Sequence, residues 1–90
     1  EVMFSLGQCV LTCGAELALG EANQIPSEFL DRHSSGDWGD LDEFDKQQNQ
    51  DALKNGGRIF SAYHTNKGEK LYVITEADRS ATCILSPDEY

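Results

Sequence analysis

Apolar and polar residues along this 90-residue chain change their spacing once, near residue 58, from a helical repeat to strict alternation. Residues 4–12 form a short β-leaning run that Gly7 weakens in its middle. Residues 13–23, rich in Ala, Leu and Glu, predict a first helix opened by Thr12 or Cys13, with Leu17 and Ala18 on its inner side. A second helix starts at Ile25-Pro26, where proline at the first helical position forfeits no hydrogen bond. Ile25, Phe29 and His33 then share one face, and Ser34-Ser35-Gly36 ends the helix. A turn, Gly36-Asp37-Trp38-Gly39-Asp40, leads into a third helix over about 40–54. Asp40 is its expected N-cap, with Glu43 three residues on to complete a capping box. Leu41, Phe44, Gln48 and Ala52 form its apolar stripe, and Asn55-Gly56-Gly57 supplies the stop.

Beyond that stop the period is two. Arg58–Thr65 sets Ile59, Ser61 and Tyr63 against Phe60, Ala62 and His64. After a tight turn at Asn66-Lys67-Gly68, Lys70–Thr75 sets Leu71 and Val73 against Tyr72 and Ile74. A second turn over 77–80 leads to a third strand, Ala81–Leu85, which Pro87 ends, leaving 88–90 as a tail. The order β-α-α-α-β-β-β predicts one α+β domain over residues 1–90: a three-stranded antiparallel meander with about three helices on one face. Residues 4–12 are a candidate fourth strand whose position the pattern leaves open.

Composition narrows the function classes. With 39% hydrophobic residues the chain is rich enough to fold, and its length allows one core. Sixteen acidic residues against seven basic ones give a formal charge of −9, a field that repels nucleic acid and anionic membrane. Direct nucleic-acid or membrane binding is therefore not expected, whereas an unidentified protein partner is, and an acidic surface aimed at a basic one stays open. Cys9, Cys13 and Cys83 are an odd set without a disulfide framework, which suits a reducing cytoplasm. No signal-peptide pattern and no long apolar run is present. The cysteines are expected to be small buried apolar residues. With single histidines at 33 and 64 they make no zinc pattern, so no metal or cofactor is expected.

Two polar clusters remain. In the first, His33 with Asp37 or Asp40 has the composition of a base and its orienting carboxylate, with Ser34 or Ser35 as nucleophile and Asp78 and Arg79 in a later turn. The same residues also fit a turn in which Trp38 plugs the core while the acids bind backbone N–H groups. Glu76, Asp78 and Arg79 likewise suit a turn with a local ion pair. In the second cluster, Asp37, Asp40, Asp42, Glu43, Asp45 and Asp51 place six acids in fifteen residues against one base, Lys46. Such a face is either solvated or imitates spaced phosphates toward a protein that binds nucleic acid.

Three stretches carry a resemblance. They are Glu28-Phe29-Leu30-Asp31-Arg32-His33-Ser34-Ser35-Gly36-Asp37-Trp38-Gly39-Asp40-Leu41, then Ile59-Phe60-Ser61-Ala62-Tyr63, then Ile74-Thr75-Glu76-Ala77-Asp78-Arg79-Ser80 with Leu85-Ser86-Pro87-Asp88-Glu89-Tyr90. Over nearly the whole chain from Met3 it resembles a small bacterial family of plasmid-related proteins carried on mobile elements. That resemblance implies no catalytic residues. It implies a mobile-element context, as an inhibitor of host defence or an accessory adaptor. Trp38, Asp37, Asp40, Asp42, Glu43 and Asp45 are thus the expected contact residues of a non-enzymatic, protein-binding module. A small hydrolase or nucleotide-modifying enzyme centred on His33, Asp37 and Arg79 is the alternative. The chain is expected to be a monomer or a homodimer joined through its last strand.

Overall fold

The structure, a computed structural model, describes residues 2–90. Thr12 opens α1 (Cys13–Ala22) by accepting the Ala15 N–H, and Asn23 closes it in the left-handed conformation. Pro26 begins α2 (Pro26–Ser34). Asp42, not Asp40, caps α3 (Glu43–Asn55), accepting the Asp45 N–H at 2.8 Å. The four strands are β1 (Gln8–Leu11), β2 (Ile59–His64), β3 (Lys70–Thr75) and β4 (Ala81–Leu85). The tail is not free: Pro87–Glu89 forms a 3-10 turn. No helix among the described residues is long and apolar enough to cross a membrane.

The meander is present as β2-β3-β4, but the sheet is larger and mixed, in the order β1-β4-β3-β2 with β1 parallel to β4. Gln8 takes the Ser80 carbonyl and Thr12 the Ile84 carbonyl, which fixes the ends of that parallel pair. β4 is therefore internal, and dimerisation through the last strand has no free edge to use.

Alternation divides the sheet into two faces. Ile59, Ser61, Tyr63, Leu71, Val73, Thr75, Thr82 and Ile84 are all fully or almost fully buried on the inner face. Tyr63, Leu71, Val73 and Ile84 pack there against Ala15, Ala18 and Leu19 of α1 and Phe29 of α2. Leu17 instead points to solvent, 69% exposed, and Ile25 sits outside the core as the uncapping residue before Pro26. A second cluster joins Trp38, Ala52 and Ile59, with Phe4, Leu41 and Leu53 against it.

The third helix does not join the other two on that face. It runs beside the outer edge of β2, where the Asn49 side chain donates to the Phe60 carbonyl at 2.7 Å and accepts its N–H at 3.0 Å. One step along, Ala62 donates to the Trp38 carbonyl at 3.2 Å and accepts the Asp40 N–H at 2.7 Å. An edge strand's outward backbone groups invite foreign pairing, and here α3 and the 38–40 segment occupy them. Gly39 makes the second contact feasible. Its φ of +75° is left-handed, and a Cβ there would run into the Ala62 carbonyl and the Tyr63 ring.

Candidate functional site

The first polar cluster is dispersed: His33 and Ser34 go into the core, while Ser35, Asp37, Asp40 and Asp78 stay exposed. His33 is fully buried, with Nδ1 2.5 Å from Ser61 Oγ and Nε2 2.9 Å from Thr75 Oγ1. Thr75 Oγ1 lies 2.7 Å from Thr82 Oγ1, which donates to the Leu6 carbonyl at 2.7 Å. Each hydroxyl has one proton, so the direction of the chain is determined. Thr82 gives its proton to Leu6, Thr75 gives its own to Thr82, and Thr75 must then accept from His33. The imidazole therefore carries its proton on Nε2 and accepts from Ser61 at Nδ1. Burial alone pushes its pKa down to about 4, and no charge faces it. The Phe4 and Trp38 rings close around it at 5.2 and 6.0 Å.

His33 consequently has no nitrogen left for Asp37. That carboxylate accepts Arg32 Nε at 2.7 Å and the Gly39 N–H at 3.1 Å, and the Arg32 bond holds its pKa below the usual range. Arg32 lies over the Tyr63 ring, whose hydroxyl donates to the Asp37 carbonyl. Burial raises the Tyr63 pKa to about 12. Arg79, left-handed at φ 62°, donates to the Gly57 carbonyl at 2.6 Å and the Ala52 carbonyl at 3.1 Å. It is a clasp on the end of α3, also donates to the Glu76 and Ala77 carbonyls at 3.3 and 3.0 Å, and forms no ion pair with Glu76 or Asp78 among the described residues. Glu76 stands 3.9 Å from Arg58 instead, while Asp78 accepts the Ser80 N–H. His33, Asp37 and Arg79 thus each hold a different piece of backbone or core.

The cysteines also depart from expectation. Cys9 and Cys13 are exposed and Cys83 half-buried. Burial, and then the charges of Glu89 and Glu76, raise the Cys83 thiol pKa. Among the described residues no group of three or more His, Cys, Asp or Glu side chains is arranged to hold a metal.

The second cluster does form a surface. Asp37, Asp40, Asp42, Glu43 and Asp45 are all exposed. Asp40 bonds His64 Nδ1 at 2.6 Å rather than capping α3, and Glu43 reaches Lys46 only at 3.9 Å. Of the two readings of Trp38 the core one holds, and the exposed ring beside the acids is a different residue. Trp38 is 4% exposed and belongs to the core, whereas Phe44, assigned by the stripe to the core, is 70% exposed between Glu43 and Asp45. The reason is the Asn49 contact: it turns Asn49 and Ala52 inward and so carries Phe44 to the outside.

One turn beyond Phe44 and Asp45, the helix borders a groove of about 290 Å³. It is lined by Asp45, Gln48 and Asn49 of α3 and by Arg58, Phe60, Ile74 and Tyr90. Phe60, Tyr72 and Tyr90 are mutually packed, with centroids 4.8, 6.1 and 5.7 Å apart. Tyr90 stands there because Glu89 is anchored. The Glu89 carboxylate accepts the Thr12 hydroxyl, the Gly14 N–H at 2.9 Å, and both the N–H and hydroxyl of Ser86 at 3.0 and 2.9 Å. These bonds, Thr12 first, lower its pKa to about 2. The sequence signal for this clasp was Ser86-Pro87-Asp88-Glu89, a capping box on a turn too short to be read as a helix.

Glu89→Gln retains the size but cannot accept on both sides of the group. The expected result is loss of hydrogen-exchange protection at the Gly14 N–H and relaxation of the Phe60 and Tyr72 ring resonances as Tyr90 swings free. In the native chain the same bonds are complete above pH 4.5 and are lost as pH falls through about 2. NMR on both proteins checks this.

The fold and surface define a small α+β domain with a mixed sheet, an acidic helix end and an aromatic groove. Comparison of the chain with family models, curated proteins and solved structures finds no match.

Proposed function

We propose that this protein is a non-enzymatic interaction module whose contact surface is the N-terminal half of α3. The observation that carries this is Phe44, 70% exposed in the middle of Asp42, Glu43 and Asp45. A large apolar ring costs free energy in water and gives it back when a partner covers it, about 1.5–3 kcal/mol for full burial. Aromatic side chains are common anchors of protein interfaces. The surrounding acids decide what covers it: a surface rich in Lys or Arg with an apolar recess. Acids spaced along a helix end imitate phosphates, so a basic groove that otherwise holds nucleic acid is the fitting partner. The resemblance to plasmid-related proteins supports the same direction, toward a host factor opposed by a mobile element.

Capture of partners from a bacterial lysate on the immobilised protein tests this. The bound protein should be basic and should be lost as salt is raised, because screening shortens the reach of the acids. Charge reversal at Asp42, Glu43 and Asp45 together should abolish capture while the domain remains folded. Retention by that variant would remove the surface from consideration.

A further inference from the structure

The groove behind Asp45 has a chemistry of its own, and it says which part of a basic partner enters. Its volume of about 290 Å³ is small, at the lower end of the ~300–1,000 Å³ of small-molecule sites, and suits a single side chain. Asp45 lines the groove and gives only its backbone N–H to the capping bond with Asp42. Gln48 lines it as well. Two rings line it too, Phe60 and Tyr90, with centroids 6.1 Å apart and planes at 61°, together with Ile74. Arg58 also lines the groove, but its Nε lies 3.9 Å from Glu76, so it comes with its own counter-charge.

A groove lined by an acid and two aromatic rings suits a planar cation. The chain makes such contacts with itself: Arg32 lies 4.4 Å from the Tyr63 centroid and Arg79 5.8 Å from that of Phe4. On the same outer sheet face, the Lys70 ammonium sits 5.4 Å from the Tyr72 ring. A guanidinium can pair with a carboxylate through two parallel bonds and still present a flat face to an aromatic ring, which an ammonium cannot. We propose that the groove formed by Asp45, Gln48, Phe60, Ile74 and Tyr90 binds an arginine side chain of the partner. This rests on the assignment of α3 as the contact surface: Phe44 and Asp45 lie one turn before Gln48 and Asn49, so the exposed ring and the groove are contiguous. Phe44 covers the partner's apolar recess while a neighbouring arginine reaches past Asp45.

The test uses a blocked Gly-Ser-Arg-Ser-Gly peptide, the same peptide with citrulline for arginine, and the same with lysine. Titration is followed by NMR. Binding of the arginine peptide should shift the Phe60, Ile74 and Tyr90 resonances. Citrulline, which keeps the shape and loses the charge, should weaken it by about tenfold, and Asp45→Asn by a similar factor. Lysine should be weaker than arginine. Arg58→Gln, which removes a like charge, should strengthen binding. Glu21→Gln, an exposed acid on α1 away from the groove, should change it less than about threefold, as expected of a screened surface charge. Equal binding of the citrulline peptide, or unchanged binding by Asp45→Asn, overturns the proposal, as does an absence of shifts in the groove. If the peptide fails while charge reversal still abolishes protein capture, the groove is lost and the α3 surface stands. If the peptide binds while capture ignores the reversal, which includes Asp45, the α3 surface is lost and the groove's arginine is not the partner's.

Discussion

Lowering the pH from 7 to about 4.5 should cost the native protein about 2–3 kcal/mol of stability through His33 alone. The imidazole is fully enclosed, and its pKa falls from 6.5 to about 4 on burial. Between those two values the unfolded chain binds a proton that the folded chain refuses. Stability therefore rises with pH through this window, is complete above about 6.5, and is fully lost below about 4. The neighbouring groups sharpen the expectation. Ser61, Thr75 and the Phe4 and Trp38 rings surround the imidazole, and none can compensate a positive charge. Acid also relieves the self-repulsion of a chain with net charge −9, which acts in the opposite direction. The difference between native protein and His33→Gln isolates the buried group, since glutamine can bond to a neighbouring hydroxyl and does not titrate. Urea unfolding of both at several pH values should give a difference that shrinks as pH falls from 6.5 to 4. A constant difference would mean that His33 is not a neutral buried group.

Asn49→Ala should be the most damaging substitution on the surface helix, at about 2–5 kcal/mol. It removes both partners of the Phe60 backbone, a donor and an acceptor beside a nearly buried side chain, and each group left unsatisfied costs about 1–3 kcal/mol. Its second consequence is kinetic and concentration-dependent. With the β2 edge uncovered at Phe60, the strand becomes a template for another chain. The variant should lose several degrees of Tm and aggregate at concentrations where the native protein stays dispersed. Light scattering beside calorimetry reads both. A variant with native Tm and no scattering would show that α3 does not close that edge.

How much of this was legible depended on whether the determining contact was local. The hairpin could be read because alternation from Ile59 and the positive φ available to Gly68 act within a dozen residues. Pro26 and Thr12 announced their helices for the same reason. Asp40 and Asp42 satisfy the capping pattern almost equally, and the choice between them is made by His64, 24 residues away from Asp40. Phe44 obeys the helical stripe yet lies outside it, because Asn49 rotates α3 to serve Phe60; a buried asparagine does not announce itself by periodicity. The parallel placement of β1 depends on contacts with residues 80–84 that no local pattern encodes. Of the candidate site, the acids were legible as a set and Trp38 as a core plug, while Phe44, placed on the buried stripe, went to the surface. The groove was not visible, since Tyr90 reaches it only through the Glu89 clasp 75 residues from Gly14.

The central claim is that Phe44 and the acids around it form the contact surface. The most direct measurement compares capture of the basic partner by Phe44→Ser and by Gln50→Ser, both exposed positions on the same helix. Phe44→Ser should reduce capture at least about tenfold, the loss expected when an anchoring ring is removed, and Gln50→Ser should leave it within about twofold. Equal capture by both variants would contradict the account.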